Sequence, residues 1–292
     1  MAVKITAAMV KQLREMTDSP MMECKKALVE ADGDLEKAVD VLRKMGLAKA
    51  AKRAGRETNE GTIAAYVSED GKQAAILELS CETDFVGTNP KFTGFAKDLA
   101  KVVAENGPAD VEALKALPMN GNAVADELTE MIHVIGENMN IVHFDRLTVE
   151  DGALSEYIHL GGKLGCIVKF EFAKPETAAS DDFKTFAHDV AMQVAAAAPV
   201  AARREDVPAD VLEKEKSIYM AQAAASGKPE AIQERIALGK LEKYYKEYVL
   251  NEQVFIKDND VTIDQLAKKV SKACGDDVKV TGFVRYTFGQ EE

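Results

Sequence analysis

Apolar residues fall at helical spacing near the amino end of the chain. Met9, Val10, Leu13 and Met16 mark one amphipathic stripe, and Thr17-Asp18-Ser19-Pro20 closes it. Ser19 is placed to cap a second helix and Pro20 to occupy its first position. That helix carries Met22, Ala27 and Leu28 on its apolar side and ends at Asp32-Gly33-Asp34. A third, with Leu35, Ala38, Val39 and Leu42, is expected to stop at Gly46, leaving residues 44–56 as a basic, alanine-rich connection. The pattern then changes character. Residues 74–79 form an apolar run interrupted only by Glu78, which reads as a buried strand. A polar loop, Glu82-Thr83-Asp84-Phe85-Val86-Gly87, breaks away from its end.

Beyond residue 56 the pattern repeats. Tyr66, Gly71, Lys72, Ile76, Phe92, Phe95, Ala96, Asp98, Ala100, Val103 and Ala104 recur as Tyr157, Gly162, Lys163, Ile167, Phe183, Phe186, Ala187, Asp189, Ala191, Val194 and Ala195, at a constant offset of 91 (157 − 66). Each copy predicts a two-stranded hairpin followed by a helix whose Phe and Ala residues face the sheet. A second match, Gly136, Ile141, Phe144, Arg146 and Thr148 with Gly275, Val280, Phe283, Arg285 and Thr287, has an offset of 139 (275 − 136), and predicts a helix end followed by a strand in each copy. The later copy therefore holds about 48 extra residues (139 − 91). Residues 208–225 and 230–248 are strongly helical around a Ser226-Gly227-Lys228-Pro229 turn, so the insertion, at about 207–250, is expected to be an antiparallel helical hairpin. The fold class is α+β. A helical head over residues 1–55, which resembles the ubiquitin-associated (UBA-like) three-helix module, precedes two core subdomains at 56–149 and 150–292 with antiparallel sheets.

Composition narrows the functional classes. With 37 Lys and Arg against 49 Asp and Glu, the net charge of −12 disfavours direct nucleic-acid binding. Cys24, Cys81, Cys166 and Cys274 are scattered and form no C-x-x-C pair, as expected of reduced thiols in a cytoplasmic protein without a structural metal. No long apolar span or signal pattern suggests a membrane or export. Nucleotide-binding glycine loops, a nucleophile elbow and H-E-x-x-H are absent, and an acid-flanked Cys81 at a strand end is a poor nucleophile. No enzyme chemistry, cofactor or metal is expected.

The duplication serves as an internal control on the loop. Glu82-Thr83-Asp84-Phe85 aligns with Ala173-Lys174-Pro175-Glu176: the copies share core positions yet differ wholly here, which points to a role beyond folding. The bland alternative has Asp84 capping the next turn and Phe85 packing locally. In the head, Met21 and Met22 are adjacent and cannot both face one core. Met22 is expected inside and Met21 outside, with Lys25 and Lys26 on the solvated side. His159 sits in the turn Tyr157-Ile158-His159-Leu160-Gly161-Gly162-Lys163, and no histidine lies at metal-ligand spacing from another or from a cysteine.

Taken together, Met21-Met22-Glu23-Cys24-Lys25-Lys26-Ala27-Leu28, Lys49-Ala50-Ala51-Lys52-Arg53-Ala54-Gly55, Cys81-Glu82-Thr83-Asp84-Phe85-Val86, Gly136-Glu137-Asn138-Met139-Asn140-Ile141, Tyr157-Ile158-His159 and Val280-Thr281-Gly282-Phe283-Val284-Arg285 resemble the bacterial elongation factor Ts family, nucleotide-exchange factors for elongation factor Tu. The resemblance covers essentially the whole chain. It implies that Thr83, Asp84, Phe85 and Val86 disturb the Mg²⁺ site of the partner GTPase, Phe85 as an apolar wedge and Asp84 as a polar anchor. It further implies that Met21, Met22 and Lys25 of the head, and the turn at His159, contact the GTP-binding partner in its GDP-bound or nucleotide-free form, and that the helical hairpin touches the partner or supports assembly. The chain stops soon after Phe288, without the further C-terminal segment of some family members, so contacts made there are expected to be missing.

Overall fold

A computed structural model describes residues 3–159, 161–225, 227 and 229–290. Leu160 in the expected hairpin turn, and Ser226 and Lys228 in the turn of the helical arm, lie outside the described residues. In chain order the elements are α1 (Ala7–Thr17), α2 (Met21–Glu30), α3 (Leu35–Arg53), β1 (Glu60–Val67), β2 (Gln73–Cys81), the single turn α4 (Asp84–Gly87), α5 (Pro90–Asn106), α6 (Val111–Ala116), the short ribbon β3 (Pro118–Met119) and β4 (Asn122–Ala123), α7 (Val124–Ile135) and β5 (Met139–Thr148). The second half follows with β6 (Gly152–Ile158), β7 (Leu164–Glu171), α8 (Asp181–Ala197), α9 (Ala209–Ala224), α10 (Glu230–Tyr248), the ribbon β8 (Val254–Phe255) and β9 (Asp258–Thr262), α11 (Ile263–Cys274) and β10 (Lys279–Thr287).

Two compact units result. Among the described residues, one holds 3–62 and 77–144, the other 63–76 and 145–290. In the first, the head closes around Leu13, Cys24, Ala27, Leu28, Ala38 and Leu42. Asp34 caps α3 by accepting the Lys37 N–H at 3.1 Å, and Gly33, in the left-handed region at φ 83°, returns its N–H to the Leu28 carbonyl at 2.8 Å to end α2. In the second, α8 covers the antiparallel sheet β6-β7-β10 through Phe183 and Phe186, whose rings stand edge-on to Phe170 at 5.4 and 5.7 Å.

The duplication is visible residue by residue. The two three-stranded sheets have the equivalent orders β1-β2-β5 and β6-β7-β10. The positions buried on α5 are Phe92, Phe95, Ala96, Leu99, Ala100, Val102, Val103 and Ala104. Those on α8 are Phe183, Phe186, Ala187, Val190, Ala191, Gln193, Val194 and Ala195. Every pair sits at the same offset, and one pair changes polarity, Val102 against Gln193. Gln193 Nε2 donates to Gln253 Oε1 at 3.1 Å and to the Val254 carbonyl at 3.2 Å, while its Oε1 accepts the Ile256 N–H at 2.8 Å. Helices α7 and α11 both end on glycines in the left-handed region, Gly136 (φ 93°) and Gly275 (φ 63°).

The inserted helices α9 and α10 form the expected hairpin. Its root is a small core of Val207, Leu241, Tyr244 and Val249, and Arg204 forks between the Glu242 and Glu252 carboxylates beside it.

Four local expectations change. Ser19 does not cap α2: it is fully buried, and its hydroxyl donates to the Thr17 carbonyl at 3.5 Å. Pro20 takes the N-cap position and Met21 the first helical one. Helix α3 does not stop at Gly46 but runs on to Arg53, so most of the presumed basic connection is helical. Gly46 is buried where α3 passes α7, and a Cβ there would touch the His133 side chain at 3.4 Å. Met22 is 64 % exposed rather than a core residue. Core positions Cys24, Ala27 and Leu28 define the inner stripe of α2, and a residue two positions before Cys24 points about 200° away from it.

Candidate functional site

Strand β2 is buried from Ala74 through Cys81, including Glu78 and Ser80. Ser80 shares a 2.8 Å hydrogen bond with the Thr58 hydroxyl and donates to the Asn140 carbonyl at 3.3 Å, which ties the end of β2 to the segment before β1 and to β5. Cys81 is fully buried and its thiol donates to the Thr83 carbonyl at 3.1 Å. It therefore holds the loop and is not presented as a nucleophile.

The loop is a wound turn. Thr83, extended at φ −129°, caps α4 by accepting the Val86 N–H at 3.4 Å. Asp84 Oδ1 accepts the Phe85 N–H at 2.9 Å, and the Thr88 hydroxyl donates to the Asp84 and Phe85 carbonyls at 3.1 and 3.3 Å. Asn89 then caps α5 through the Lys91 N–H at 2.9 Å, with Pro90 at its first position. On the inner side Val86 is buried, and Gly87 lies so near the Gly61 backbone that an added Cβ would meet that carbonyl oxygen at 3.0 Å. Between these anchors Phe85 is 83 % exposed. The alternative that Phe85 packs locally is excluded, and the capping assigned to Asp84 in that alternative belongs to Thr83.

Behind the turn lies a hydrogen-bonded group whose contacts the sequence pattern did not show. Glu137 Oε2 accepts the Glu82 and Thr83 N–H groups at 3.1 and 3.0 Å, and its Oε1 accepts the Thr83 hydroxyl at 2.7 Å. Glu82 reaches back, accepting the Asn138 N–H at 2.6 Å and the Arg56 guanidinium at 3.2 Å, while Asn138 Nδ2 donates to the Arg56 carbonyl at 2.8 Å. The available signal was the offset of 139, which pairs Glu137 with Asp276, another acid. Asp276 accepts the Ala173 and Lys174 N–H groups at 3.2 and 2.8 Å and the Thr177 hydroxyl at 2.7 Å. Desolvation pushes the Asp276 carboxyl upward, but these donors together with the Asp277 N–H outweigh it and hold the group at about 2.

The head contributes a second surface. On α2, Met21 and Met22 are 52 % and 64 % exposed, Lys25 is exposed, and Val29 is 59 % exposed. Met22, Lys25, Lys26 and Val29 follow the i, i+3, i+4, i+7 spacing of one helix face. Val29 was missed, although its spacing from Met22 marks it. This face and the residue 83–86 turn belong to the same unit, and within it Lys91 at the start of α5 pairs with Asp18 at the end of α1 at 2.9 Å.

His159 belongs to the other unit and is exposed in the β6-β7 turn. Its N–H donates to the Leu164 carbonyl at 2.8 Å, and its Nδ1 is 3.1 Å from the Tyr157 hydroxyl. Among the described residues no group of three or more His, Cys, Asp or Glu side chains is placed to hold a metal ion.

Residues 82–290 match the family described as Elongation factor TS. The chain belongs to the elongation factor Ts family. It is 46 % identical over 289 residues to Elongation factor Ts of Clostridium kluyveri (strain NBRC 12016), covering 98 % of this chain and 93 % of the relative. The same figures hold for Elongation factor Ts of Clostridium botulinum (strain 657 / Type Ba4). For that of Clostridium perfringens (strain SM101 / Type A), the 46 % identity extends over 287 residues, again 98 % and 93 % of the two chains. Membership in the elongation factor Ts family carries a nucleotide-exchange role in translation elongation.

Proposed function

We propose that this chain binds elongation factor Tu in its GDP-bound and nucleotide-free forms and releases GDP by inserting the residue 83–86 turn beside the Mg²⁺ and phosphate site. The observation that carries the reading is Phe85, a large apolar side chain left 83 % exposed on a turn whose own anchors are buried. A GTPase holds GDP through Mg²⁺ and backbone N–H groups around the phosphates, and displacing either weakens the nucleotide. Phe85 acts as the wedge. Thr83 and Val86 fix its direction, and Asp84, whose second carboxylate oxygen is not engaged by the Phe85 N–H, meets polar groups of the partner. Met21, Met22 and Lys25 dock the head, and His159 approaches the partner from the second unit.

Linkage makes the effect reciprocal: a factor that lowers nucleotide affinity is itself released when nucleotide binds. No covalent step or cofactor is required, so the chain works as an exchange factor and not as an enzyme with a substrate of its own. The acidic balance argues against nucleic acid as a direct partner, and among the described residues no helix is long and apolar enough to cross a membrane. Action in the cytoplasm, and a division into a head (1–55), a first core subdomain (56–149) and a second (150–292) with its arm at about 207–250, belong to the same proposal.

Stopped-flow release of a fluorescent GDP analogue from elongation factor Tu tests it, with the wild-type chain and with the Asp84→Ala, Phe85→Ala double variant. Strong acceleration by the wild type that the variant largely loses is the expected result. Equal acceleration by both moves the site to the head or His159. Complex formation without a change in nucleotide off-rate leaves a passive binding protein and refutes the reading.

A further inference from the structure

We propose that Glu137 is the positioning residue that aims Phe85, acting through the Thr83 hydroxyl. The inference rests on the exchange reading of the residue 83–86 turn. Its starting point is the difference between two otherwise matched carboxylates. Glu137 and Asp276 each follow the left-handed glycine that ends a helix, and each accepts two successive backbone N–H groups from the chain leaving the central strand of its sheet. That shared part is a folding device, because it appears in the copy that carries no exposed aromatic.

The hydroxyl bond is used differently. Asp276 divides the two N–H groups between Oδ1 and Oδ2, and Oδ2 also takes the hydroxyl of Thr177, three residues beyond Lys174, while the turn that starts at Pro175 has no side-chain cap. Glu137 takes the hydroxyl of Thr83 itself, at 2.7 Å. A hydroxyl has one proton to give. With that proton committed to Glu137, the Thr83 oxygen presents its lone pairs to the Val86 N–H at 3.4 Å, which is the cap of α4. The orientation therefore passes from a carboxylate on a helix end, through a hydroxyl, to the turn that carries Phe85. A charged acceptor suits this role, since it forms the stronger kind of hydrogen bond and cannot reverse donor and acceptor.

The chain contains no tryptophan, so Phe85→Trp places a single indole reporter on the turn. In that background Glu137→Ala and Thr83→Val are expected to lower the steady-state anisotropy of the indole, while Thr83→Ser restores it and Asp276→Ala leaves it unchanged. Thr83→Val keeps both backbone bonds to Glu137, so the test survives if Glu137→Ala proves too unstable to purify. In the chain with Phe85 retained, Glu137→Ala and Thr83→Val are expected to reduce the maximal rate of GDP release about tenfold, with the half-saturating concentration changing by less than about twofold. Asp276→Ala is expected to lower the melting temperature and leave both exchange parameters intact.

Unchanged anisotropy and exchange in Thr83→Val would overturn the proposal. So would equal exchange losses in Glu137→Ala and Asp276→Ala, which would mean general destabilisation. If the wild-type chain releases no GDP, the exchange reading fails, and the anisotropy series still decides whether Glu137 orients the turn.

Discussion

Removing the ring of Phe85 should separate function from stability. In the free chain the side chain is 83 % exposed, so Phe85→Ala takes away almost no native packing and should leave stability within about 0.5 kcal/mol. In the complex the same ring goes from water into a partner. Covering it removes on the order of 150 Å² from solvent, equivalent to about 4 kcal/mol at 25 cal/mol/Å². The methyl that remains and the ordering cost of the contact bring the expected loss to about 2–3 kcal/mol, or about 30- to 150-fold in kcat/KM for GDP release. Stopped-flow exchange and thermal denaturation followed by circular dichroism measure the two quantities on one preparation. A drop of many degrees in Tm would mean that Phe85 packs within its own chain. Undiminished exchange at unchanged Tm would remove the wedge from the mechanism.

Three further outcomes follow from buried groups. Gly152→Ala should cost about 3 kcal/mol or more by chemical denaturation, because at φ 142° an added Cβ would stand 1.9 Å from the Phe170 carbonyl oxygen. His133 is buried on α7 with both ring nitrogens lacking a hydrogen bond, although Nε2 is 3.4 Å from Glu23 Oε2. Burial lowers its pKa from the usual value, and the charge of Glu23 only partly offsets this against Lys49 and Arg53. Its contribution is thus intact above the unfolded pKa and declines as pH falls below it, so His133→Leu should raise stability by about 1 kcal/mol more at a pH of about 5.5 than at about 8. Cys24, Cys81 and Cys166 are buried, and burial pushes the Cys166 thiol up to about 12, whereas Cys274 is partly exposed. A thiol reagent followed by mass spectrometry should mark Cys274 first, and rapid native labelling of Cys166 would contradict the packing of α8 on its sheet.

The core was legible because burial imposes a period. Phe92 and Phe183, or Ala100 and Ala191, face equivalent sheets, so the same hydrophobic position was written twice at one spacing. The residue 83–86 turn was legible for the opposite reason, as the place where two matched copies part. Other features left weaker traces. Met22 differs from Met21 by one residue, or about 100° of helix phase, and only the positions of Cys24, Ala27 and Leu28 together fix which side is inward. Gly46 looks like a helix end in sequence, yet serves as a point of close approach to α7. Glu137 acts on backbone groups 54 and 55 positions away in the chain, and such a contact has no periodic signature. Its pairing with Asp276, and its place in the stretch from Gly136 to Ile141, marked the residue but not the contact.

The difference between Val102 and Gln193 ties the arm to its place in the second copy. The two long helices return the chain at residues 253–256, at the start of the β8-β9 ribbon that leads into α11. Gln193 meets it there from the helix beneath, joining Gln253, the Val254 carbonyl and the Ile256 N–H with one side chain. The arm is therefore not a freely portable module. Grafting it into the first copy would leave those groups above the methyls of Val102, so the transfer would need Val102→Gln alongside it.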